Sequence, residues 1–159
     1  MAGRGTPATS LLAREGIGYT LHPYEVDPRA PSYGEAAAAA LGVDPARVFK
    51  TLVAAADGRL VVGVLPVSSM LDLKALAAAV GGRRAVLAEQ AAAERATGYV
   101  VGGISPIGQR SRLATVVDAS VGHWPTVYVS AGRRGLQVEL GPADLVRITA
   151  ATLAPIATR

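Results

Sequence analysis

Two apolar runs, residues 48–56 and 59–65, are separated only by the dipeptide Asp57–Gly58. Asp-Gly favours a two-residue hairpin turn, because both positions tolerate the positive φ angles that a type I′ turn requires. The segment therefore predicts an antiparallel hairpin. The middle of the chain is therefore predicted to belong to a β-sheet, and other segments of the sequence must supply the remaining strands.

Local signals for the ends of helices and strands divide the rest of the chain. Helices are predicted at Thr6–Arg14, 36–40, Met70–Val80, Glu89–Ala96 and from Pro142, with a further turn at Leu153–Thr158. Further strands are predicted at Ile17–Val26, Arg84–Leu87, Tyr99–Val101, Val116–Asp118, Thr126–Ser130 and Leu136–Leu140. Ser32 and Glu35 have the spacing of a capping box before an alanine run that Gly42 can end, and Ser68 or Ser69 is expected to cap the next helix.

Helices and strands are interspersed without regular βαβ alternation, which favours a mixed sheet over a doubly wound one. We expect an α/β fold of the α+β type, with a mixed, mostly antiparallel, barrel-like sheet surrounded by helices. Because no repeat or linker divides the chain, residues 1–159 are expected to form a single domain. Disorder is expected only in residues 1–6.

Composition excludes several kinds of chemistry. The chain has no cysteine, and its two histidines, His22 and His123, lie far apart in sequence. Disulfides, thiolate zinc sites and a cysteine nucleophile are therefore excluded, and no metal or cofactor is expected. The longest apolar run, 60–67, is far shorter than the roughly 20 residues of a membrane-spanning helix. Since the N-terminus also lacks a secretory signal, we expect a soluble, cytoplasmic protein without a membrane partner.

Basic residues are in modest excess, 16 against 12 acidic ones, for a net charge of +4. This excess permits an RNA partner without requiring one. Only Lys50 and Lys74 are lysines, and alternation along the predicted strand places Lys50 on one face with Leu52 and Ala54. Such a lysine either reaches water from an edge strand or projects into a pocket, where it would donate to a substrate carbonyl or phosphate.

Two glycine-containing segments are further candidates for binding. The segment 98–112 contains Gly102 and Gly103, whose backbone can approach a ligand closely, but it has the spacing of neither a P-loop nor a dinucleotide fingerprint. Two pairs of arginines could meet RNA phosphates, one just beyond these glycines and one in the turn 130–135: Arg110, Arg112, Arg133 and Arg134. Both segments are also compatible with purely structural turns.

A hydrolytic triad could be assembled from Ser105, Asp118 and His123. No sequence around Ser105 resembles a nucleophile elbow, so this triad is disfavoured. Packing is the favoured role of Trp124. In the segment 68–77, Asp72 is assigned to a helix start rather than to catalysis.

Four segments together resemble the YbaK/EbsC family of free-standing Cys-tRNA(Pro) deacylases, which is similar to the insertion editing domain of bacterial prolyl-tRNA synthetase. They are VFKTLV at 48–53, SSMLDLKALA at 68–77, TGYVVGGISPIGQ at 97–109 and YVSAGRRGLQVEL at 128–140. The resemblance runs in order from about Pro7 to the C-terminus. It implies an editing enzyme that cleaves the ester of mischarged aminoacyl-tRNA, with prolyl-tRNA synthetase as a partner in a ternary complex.

The resemblance also implies roles for individual residues. The family's essential lysine falls on Lys50. The positions that line the family's aminoacyl pocket are Tyr24, Tyr33, Thr51, Gly102, Gly103 and Ser130. Some members carry an acid where this chain has Gln137, and because an amide cannot act as a base, Gln137 is left out of the catalytic set. The family is thought to let the substrate's own cysteine thiol attack its ester, and attack by water is the alternative.

Two other functions remain open at this point. A related specificity, such as deacylation of Ala-tRNA(Pro), would use the same lysine. A non-catalytic aminoacyl-tRNA binder or regulator could share the fold. The sequence does not distinguish them, because a pocket bounded by Tyr24 and Tyr33 limits the volume of the amino acid without fixing its identity.

Overall fold

The computed structural model describes residues 5–26, 29 and 32–158. Its α-helices are α1 Pro7–Arg14, α2 Tyr33–Leu41, α3 Leu73–Ala79, α4 Gln90–Thr97 and α5 Pro142–Thr149. Its strands are β1 Thr20–Pro23, β2 Phe49–Ala56, β3 Arg59–Pro66, β4 Met70–Leu71, β5 Ala85–Leu87, β6 Ala114–Asp118, β7 Val127–Arg133, β8 Leu136–Leu140, β9 Thr152–Ala154 and β10 Ala157–Thr158.

The predicted hairpin is confirmed and forms the centre of the largest sheet. Asp57 and Gly58 have φ angles of 50° and 85°, which are the positive values that the turn requires. The sheet has the order β5-β2-β3-β6-β9, in which β3–β6 and β6–β9 are parallel pairs. A second, antiparallel sheet has the order β1-β8-β7, and β4 pairs with β10.

The mixed, mostly antiparallel α+β fold in one domain is thus confirmed, although the described strands form three sheets rather than a closed barrel. A single parallel bridge between Val48 and Tyr128 joins the edges of the two larger sheets. The main core lies between them, where Phe49 and Val64 of one sheet and Val129 of the other are buried in a common cluster. The opposite face of the larger sheet packs on α3.

Two helix starts follow the sequence signals. Ser32 caps α2 by accepting a hydrogen bond from the Glu35 amide at 3.1 Å, and Gly42 ends this helix at a φ of 67°. Thr6 caps α1, and its hydroxyl donates to the carbonyl of Ala131 at 2.5 Å. Thr6 belongs to the stretch in which disorder was expected, yet it is buried. Residues 1–4 of that stretch lie outside the described residues.

Three predicted elements are wrong, and in two of them pairing with a distant strand decides the outcome. Met70–Leu71 is a strand paired with β10, so α3 begins after Asp72, whose carboxylate accepts from the Ala75 amide at 3.0 Å. Tyr99–Val101 forms turns. There the Tyr99 hydroxyl donates to the Ile107 carbonyl at 2.6 Å. The predicted C-terminal turn consists of β9 and β10, which pair with β6 and β4. No helix in the described chain is long and apolar enough to cross a membrane.

A polar cluster on the outer face of the second sheet ties that sheet to the 3₁₀ turn Pro45–Arg47. Glu139 is its centre: its carboxylate accepts from the Thr126 hydroxyl at 2.5 Å and from His22 Nε2 at 2.8 Å, and Arg47 Nη2 lies 3.5 Å away. The hydrogen bond from Thr126, together with His22 and Arg47, lowers the pKa of Glu139 against the opposing effect of burial. The ionised form of Glu139 is therefore favoured by folding.

We expect Glu139→Gln to lower the free energy of unfolding at neutral pH by about 1.5–3 kcal/mol, the range for hydrogen bonds to a charged group. Because the folded-state pKa is depressed, this stabilisation is present above the ordinary glutamate pKa and is lost as pH falls through the folded-state value. Urea unfolding of both proteins between neutral and acidic pH measures the effect. The wild type should lose stability on acidification more steeply than Glu139→Gln, with Glu15→Gln as the exposed control. Parallel pH profiles would contradict this role of Glu139.

Candidate active site

A cavity of about 390 Å³ opens between the two larger sheets and the start of α2. Its walls are the N-terminal turn of α2, the first residues of β2, residues 87–93, the loop 101–104 and the outer face of β7 and β8. Strand β5 covers β2 only at Ala54–Ala56. Within the described chain, the edge of β2 at Lys50–Leu52 therefore has no strand neighbour on this side and borders the cavity.

Most residues that the sequence assigned to the site line this one cavity. They are Tyr24, Tyr33, Lys50, Thr51, Gly102 and Ser130. Gly103 is not one of the residues that line the cavity. Residues far apart in the sequence are brought together because the bridge between Val48 and Tyr128 places the start of β2 beside β7.

Two positions were expected for the Lys50 side chain: in water beside an edge strand, or projecting into a pocket. The half-buried side chain matches neither of them completely. It lines the cavity from an edge segment of β2, but its ammonium does not extend into water: Nζ donates to the backbone carbonyl of Ser69 at 2.6 Å. Burial lowers the pKa of Lys50 below its ordinary value, and the nearby Glu35 carboxylate opposes that shift. An incompletely solvated ammonium of this kind is a strong hydrogen-bond donor to any carbonyl that enters the cavity.

Two buried oxygens in the cavity wall lack hydrogen-bond partners among the described residues. They are Thr51 Oγ1 and Gln137 Oε1. A buried polar atom left unpaired costs roughly 1–3 kcal/mol, so a donor that reached either oxygen would be favoured. Gln137, which is not expected to be catalytic, thus belongs to the cavity lining. The signal that places it there is the register of the β7–β8 hairpin, which sets Gln137 directly opposite Ser130.

The two glycines of the loop 101–104 have different roles. Gly102 adopts a φ of 90° and lines the cavity. The amide of Gly103 donates to the Val100 carbonyl at 2.9 Å, so this N–H is already used within its own turn. A Cβ on Gly103 would lie 2.7 Å from the Cα of Arg133, which means that the loop is in direct contact with the backbone of the β7–β8 turn. Gly103 is thus required for close approach of two chain segments.

All four arginines assigned to RNA are exposed, and they differ in their local contacts. Arg134 is at the mouth of the cavity, where its Nε donates to the Val101 carbonyl at 2.9 Å and its guanidinium lies 4.8 Å from the centre of the Tyr33 ring. The Arg110 side chain packs beside Gly98 at the end of α4. Arg112 and Arg133 are exposed and do not line the cavity.

The members of the disfavoured triad have separate structural roles. Ser105 is fully buried, and its hydroxyl accepts from the Ile107 amide at 3.2 Å. The Asp118 carboxylate accepts from three backbone amides, those of Ser120, Ile156 and Ala157. His123 is exposed. Among the described residues, no group of three His, Cys, Asp or Glu side chains could hold a metal ion.

The fold defines an α+β protein with a half-buried ammonium in the wall of one cavity. Comparison with known proteins identifies the family. A family model described as "Aminoacyl-tRNA editing domain" matches residues 27–148. The chain is 37% identical over 126 residues to "Putative Cys-tRNA(Pro)/Cys-tRNA(Cys) deacylase EbsC" of Enterococcus faecalis, covering 79% of this chain and 77% of that protein.

One further relative agrees with this assignment, and one solved structure shares the fold. The chain is 30% identical over 144 residues to "Multifunctional Ser/Thr-tRNA deacylase ProXp-y" of Escherichia coli, covering 87% of this chain and 84% of that protein. A crystal structure of "a putative trans-editing enzyme for prolyl tRNA synthetase" shares the fold, with a TM-score of 0.84, 22% identity and 96% of both chains covered. The protein belongs to the aminoacyl-tRNA editing domain family.

We expect Gly103→Ala to destabilise the protein by about 1–3 kcal/mol, the usual cost of adding a methyl group where there is no space. The new Cβ would collide with backbone rather than with a movable side chain. Gly122→Ala is the matched control, because a Cβ there meets nothing within 4 Å. The urea midpoints of both variants measure the difference. Equal midpoints would show that the loop does not depend on close contact with the β7–β8 turn.

Proposed function

We propose that this protein is a trans-acting editing enzyme that cleaves the aminoacyl ester of mischarged Cys-tRNA(Pro). The observation that carries the proposal is the position of Lys50, a half-buried ammonium that lines a cavity together with Thr51 and Gln137, whose side-chain oxygens are buried and unpaired. Family membership supplies the reaction class, and the name of the Enterococcus faecalis relative supports cysteine as the amino acid.

Lys50 is proposed to stabilise the charge that develops on the ester carbonyl. In the free protein its Nζ donates to the Ser69 carbonyl, so a substrate carbonyl could take that hydrogen bond without moving the lysine far. The negative charge on the tetrahedral intermediate would strengthen this interaction, and stabilisation that is greater in the transition state than in the ground state accelerates the reaction. Burial of the ammonium increases the effect because the surrounding medium screens it less.

The two unpaired oxygens are suited to the amino group of the substrate. An α-ammonium carries three N–H donors, and Thr51 Oγ1 and Gln137 Oε1 are acceptors in the same cavity. Because the Gln137 amide is uncharged, it can orient the amino group without forming an ion pair with it or acting as a base. We infer that Gln137 and Thr51 position the aminoacyl group, together with Tyr24, Tyr33 and Ser130.

The nucleophile is proposed to be the substrate's own thiol. The sulfur bonds to the carbonyl carbon, the ribose oxygen of the tRNA leaves and takes up the proton, and a cyclic thiolactone is released. Ser105 and His123 do not line the cavity, so this pair does not supply an activated hydroxyl for this step. The contribution of the protein would then be to hold the substrate in a geometry that favours attack.

Other specificities are alternative outcomes of the same assay. The relative named for Ser/Thr-tRNA deacylation favours testing hydroxyl amino acids, and Ala-tRNA(Pro) tests a small side chain. A protein that binds aminoacyl-tRNA without activity would cleave none of these substrates.

Prolyl-tRNA synthetase is the proposed partner that selects the tRNA, and a cytoplasmic location follows from the proposed substrate.

We expect Lys50→Ala to reduce kcat for Cys-tRNA(Pro) by about 100-fold or more, the usual effect of removing a group that stabilises an oxyanion. Lys50→Arg should also fail, because the planar guanidinium needs more room than the ammonium. The matched control is Lys74→Ala, which removes the other lysine from an exposed position on α3. Rates are measured with purified protein on Cys-, Ala-, Ser- and Pro-tRNA(Pro) and on Cys-tRNA(Cys).

Wild-type turnover by Lys50→Ala would remove this residue from the mechanism. If the wild type cleaves none of the five substrates but binds aminoacyl-tRNA, the protein is a non-catalytic binder. Unfolding curves of the variants separate loss of the charge from loss of the fold.

We expect Cys-tRNA(Pro) to be cleaved much faster than Ser-tRNA(Pro), although the two amino acids are nearly isosteric. A thiol is a few per cent ionised near neutral pH and intrinsically nucleophilic, whereas a serine hydroxyl is essentially un-ionised. The assay compares both substrates at equal concentration and identifies the first product by mass spectrometry. Equal rates, or free cysteine as the primary product, would favour attack by water.

A further inference from the structure

An aromatic ring and a guanidinium are held together at the mouth of the cavity. Tyr33 is the first residue of α2 and is 42% exposed although it lines the cavity. The Arg134 guanidinium carbon lies 4.8 Å from the centre of this ring, within the range of a cation–π contact. Arg134 is held by a second contact, because its Nε donates to the Val101 carbonyl at 2.9 Å.

The neighbouring backbone is shaped to accommodate this pair. A Cβ on Gly102 would lie 2.7 Å from Arg134 Nε and 3.0 Å from the Tyr33 ring, so only glycine leaves room for both side chains. On the other side, the pairing of β7 with β8 shifts register between Ser130 and Arg133. Irregularities of this kind redirect the side chains that follow them, and here the next residue is Arg134.

Arg134 has no role in the chemistry proposed for Lys50, and Tyr33, which lines the cavity, also has an exposed ring at its mouth. The Nη groups of Arg134 donate no hydrogen bond and form no ion pair within the described chain, and both side chains are accessible to solvent. Exposed planar groups of this type are the surfaces on which proteins stack unpaired nucleobases, and a guanidinium adds donors for ribose or phosphate oxygens.

The geometry of the substrate places a nucleoside at this point. If the cavity holds the aminoacyl group, the ester connects it to the ribose of the terminal nucleotide, which must then lie at the mouth. We propose that Tyr33 and Arg134 form a binding site for this terminal nucleoside, with the base stacked on the pair and the Arg134 Nη groups donating to the ribose or phosphate. This site rests on the proposed function, since it assigns the nucleotide part of the same substrate.

The direct test uses adenosine monophosphate as the probe and requires no catalysis. Binding to the wild type, Arg134→Ala, Arg134→Lys and Tyr33→Leu is followed by NMR titration or calorimetry, with adenosine and inorganic phosphate as separate ligands. The matched control is Arg59→Ala, which removes the same charge from the far end of the β2–β3 hairpin. Unfolding curves establish that each variant is folded.

We expect Arg134→Ala and Tyr33→Leu to weaken binding of adenosine monophosphate at least fivefold, and Arg59→Ala to leave it unchanged. Arg134→Lys should not restore binding, because an ammonium has no planar face for stacking. Adenosine should bind at the same site. Failure of the wild type to bind at millimolar concentration, equal binding by Arg134→Ala, or full competition by phosphate alone would overturn the proposal.

A kinetic comparison separates this inference from the proposed function. Arg134→Ala should raise KM for Cys-tRNA(Pro) at least fivefold. It should leave the cleavage of cysteine methyl ester unchanged, because that ester has no nucleoside. Lys50→Ala should slow the cleavage of both substrates. If the wild type cleaves neither substrate but binds adenosine monophosphate through Arg134, the deacylase proposal fails and the nucleoside site stands. If cleavage depends on Lys50 but neither KM nor nucleotide binding depends on Arg134, only the nucleoside site fails.

Discussion

Lys50 places an ammonium on a strand whose other residues belong largely to the protein interior. The hydration that this ammonium loses must be compensated by neighbouring groups, and several features of the site follow from that requirement. Phe49 on the same strand is buried in the main core, while Lys50 reaches the Ser69 carbonyl and lies near the Glu35 carboxylate. The strand has no neighbour at this edge because β5 begins to pair only at Ala54. The same missing neighbour therefore creates the cavity and exposes the lysine to it.

The close contact between the loop 101–104 and the β7–β8 turn couples the interior of the cavity to its mouth. Gly103 allows the loop to reach the backbone of Arg133, and Gly102 leaves the space in which Arg134 and Tyr33 meet. The two adjacent glycines thus have different roles: Gly103 allows two backbone segments to come close together, and Gly102 leaves space for two side chains. In this arrangement an aminoacyl group and the nucleotide attached to it would contact different parts of one continuous surface.

Errors in the sequence-based predictions are confined to segments whose structure depends on distant partners. Helix starts with a local polar cap, such as those at Thr6 and Ser32, were predicted correctly because the hydrogen bond is made within three residues. Met70–Leu71 was assigned to a helix because its neighbours have helical signals, but pairing with β10 makes it a strand. The exclusion of Gln137 from the catalytic set stays a prediction, and the structure adds that this residue lines the cavity.

Short motifs in the sequence are enough to predict the central hairpin, the mixed α+β class and the family, and alternation along one strand singles out Lys50 as a candidate. The fold adds that the Gly103 amide is used within its own turn, that Arg134 lies on Tyr33, and that Arg110 packs beside Gly98. The contact between Arg134 and Tyr33 joins residues that are distant in sequence. Local sequence preferences specify the backbone of a turn, but they do not specify which side chain from another segment will pack against it.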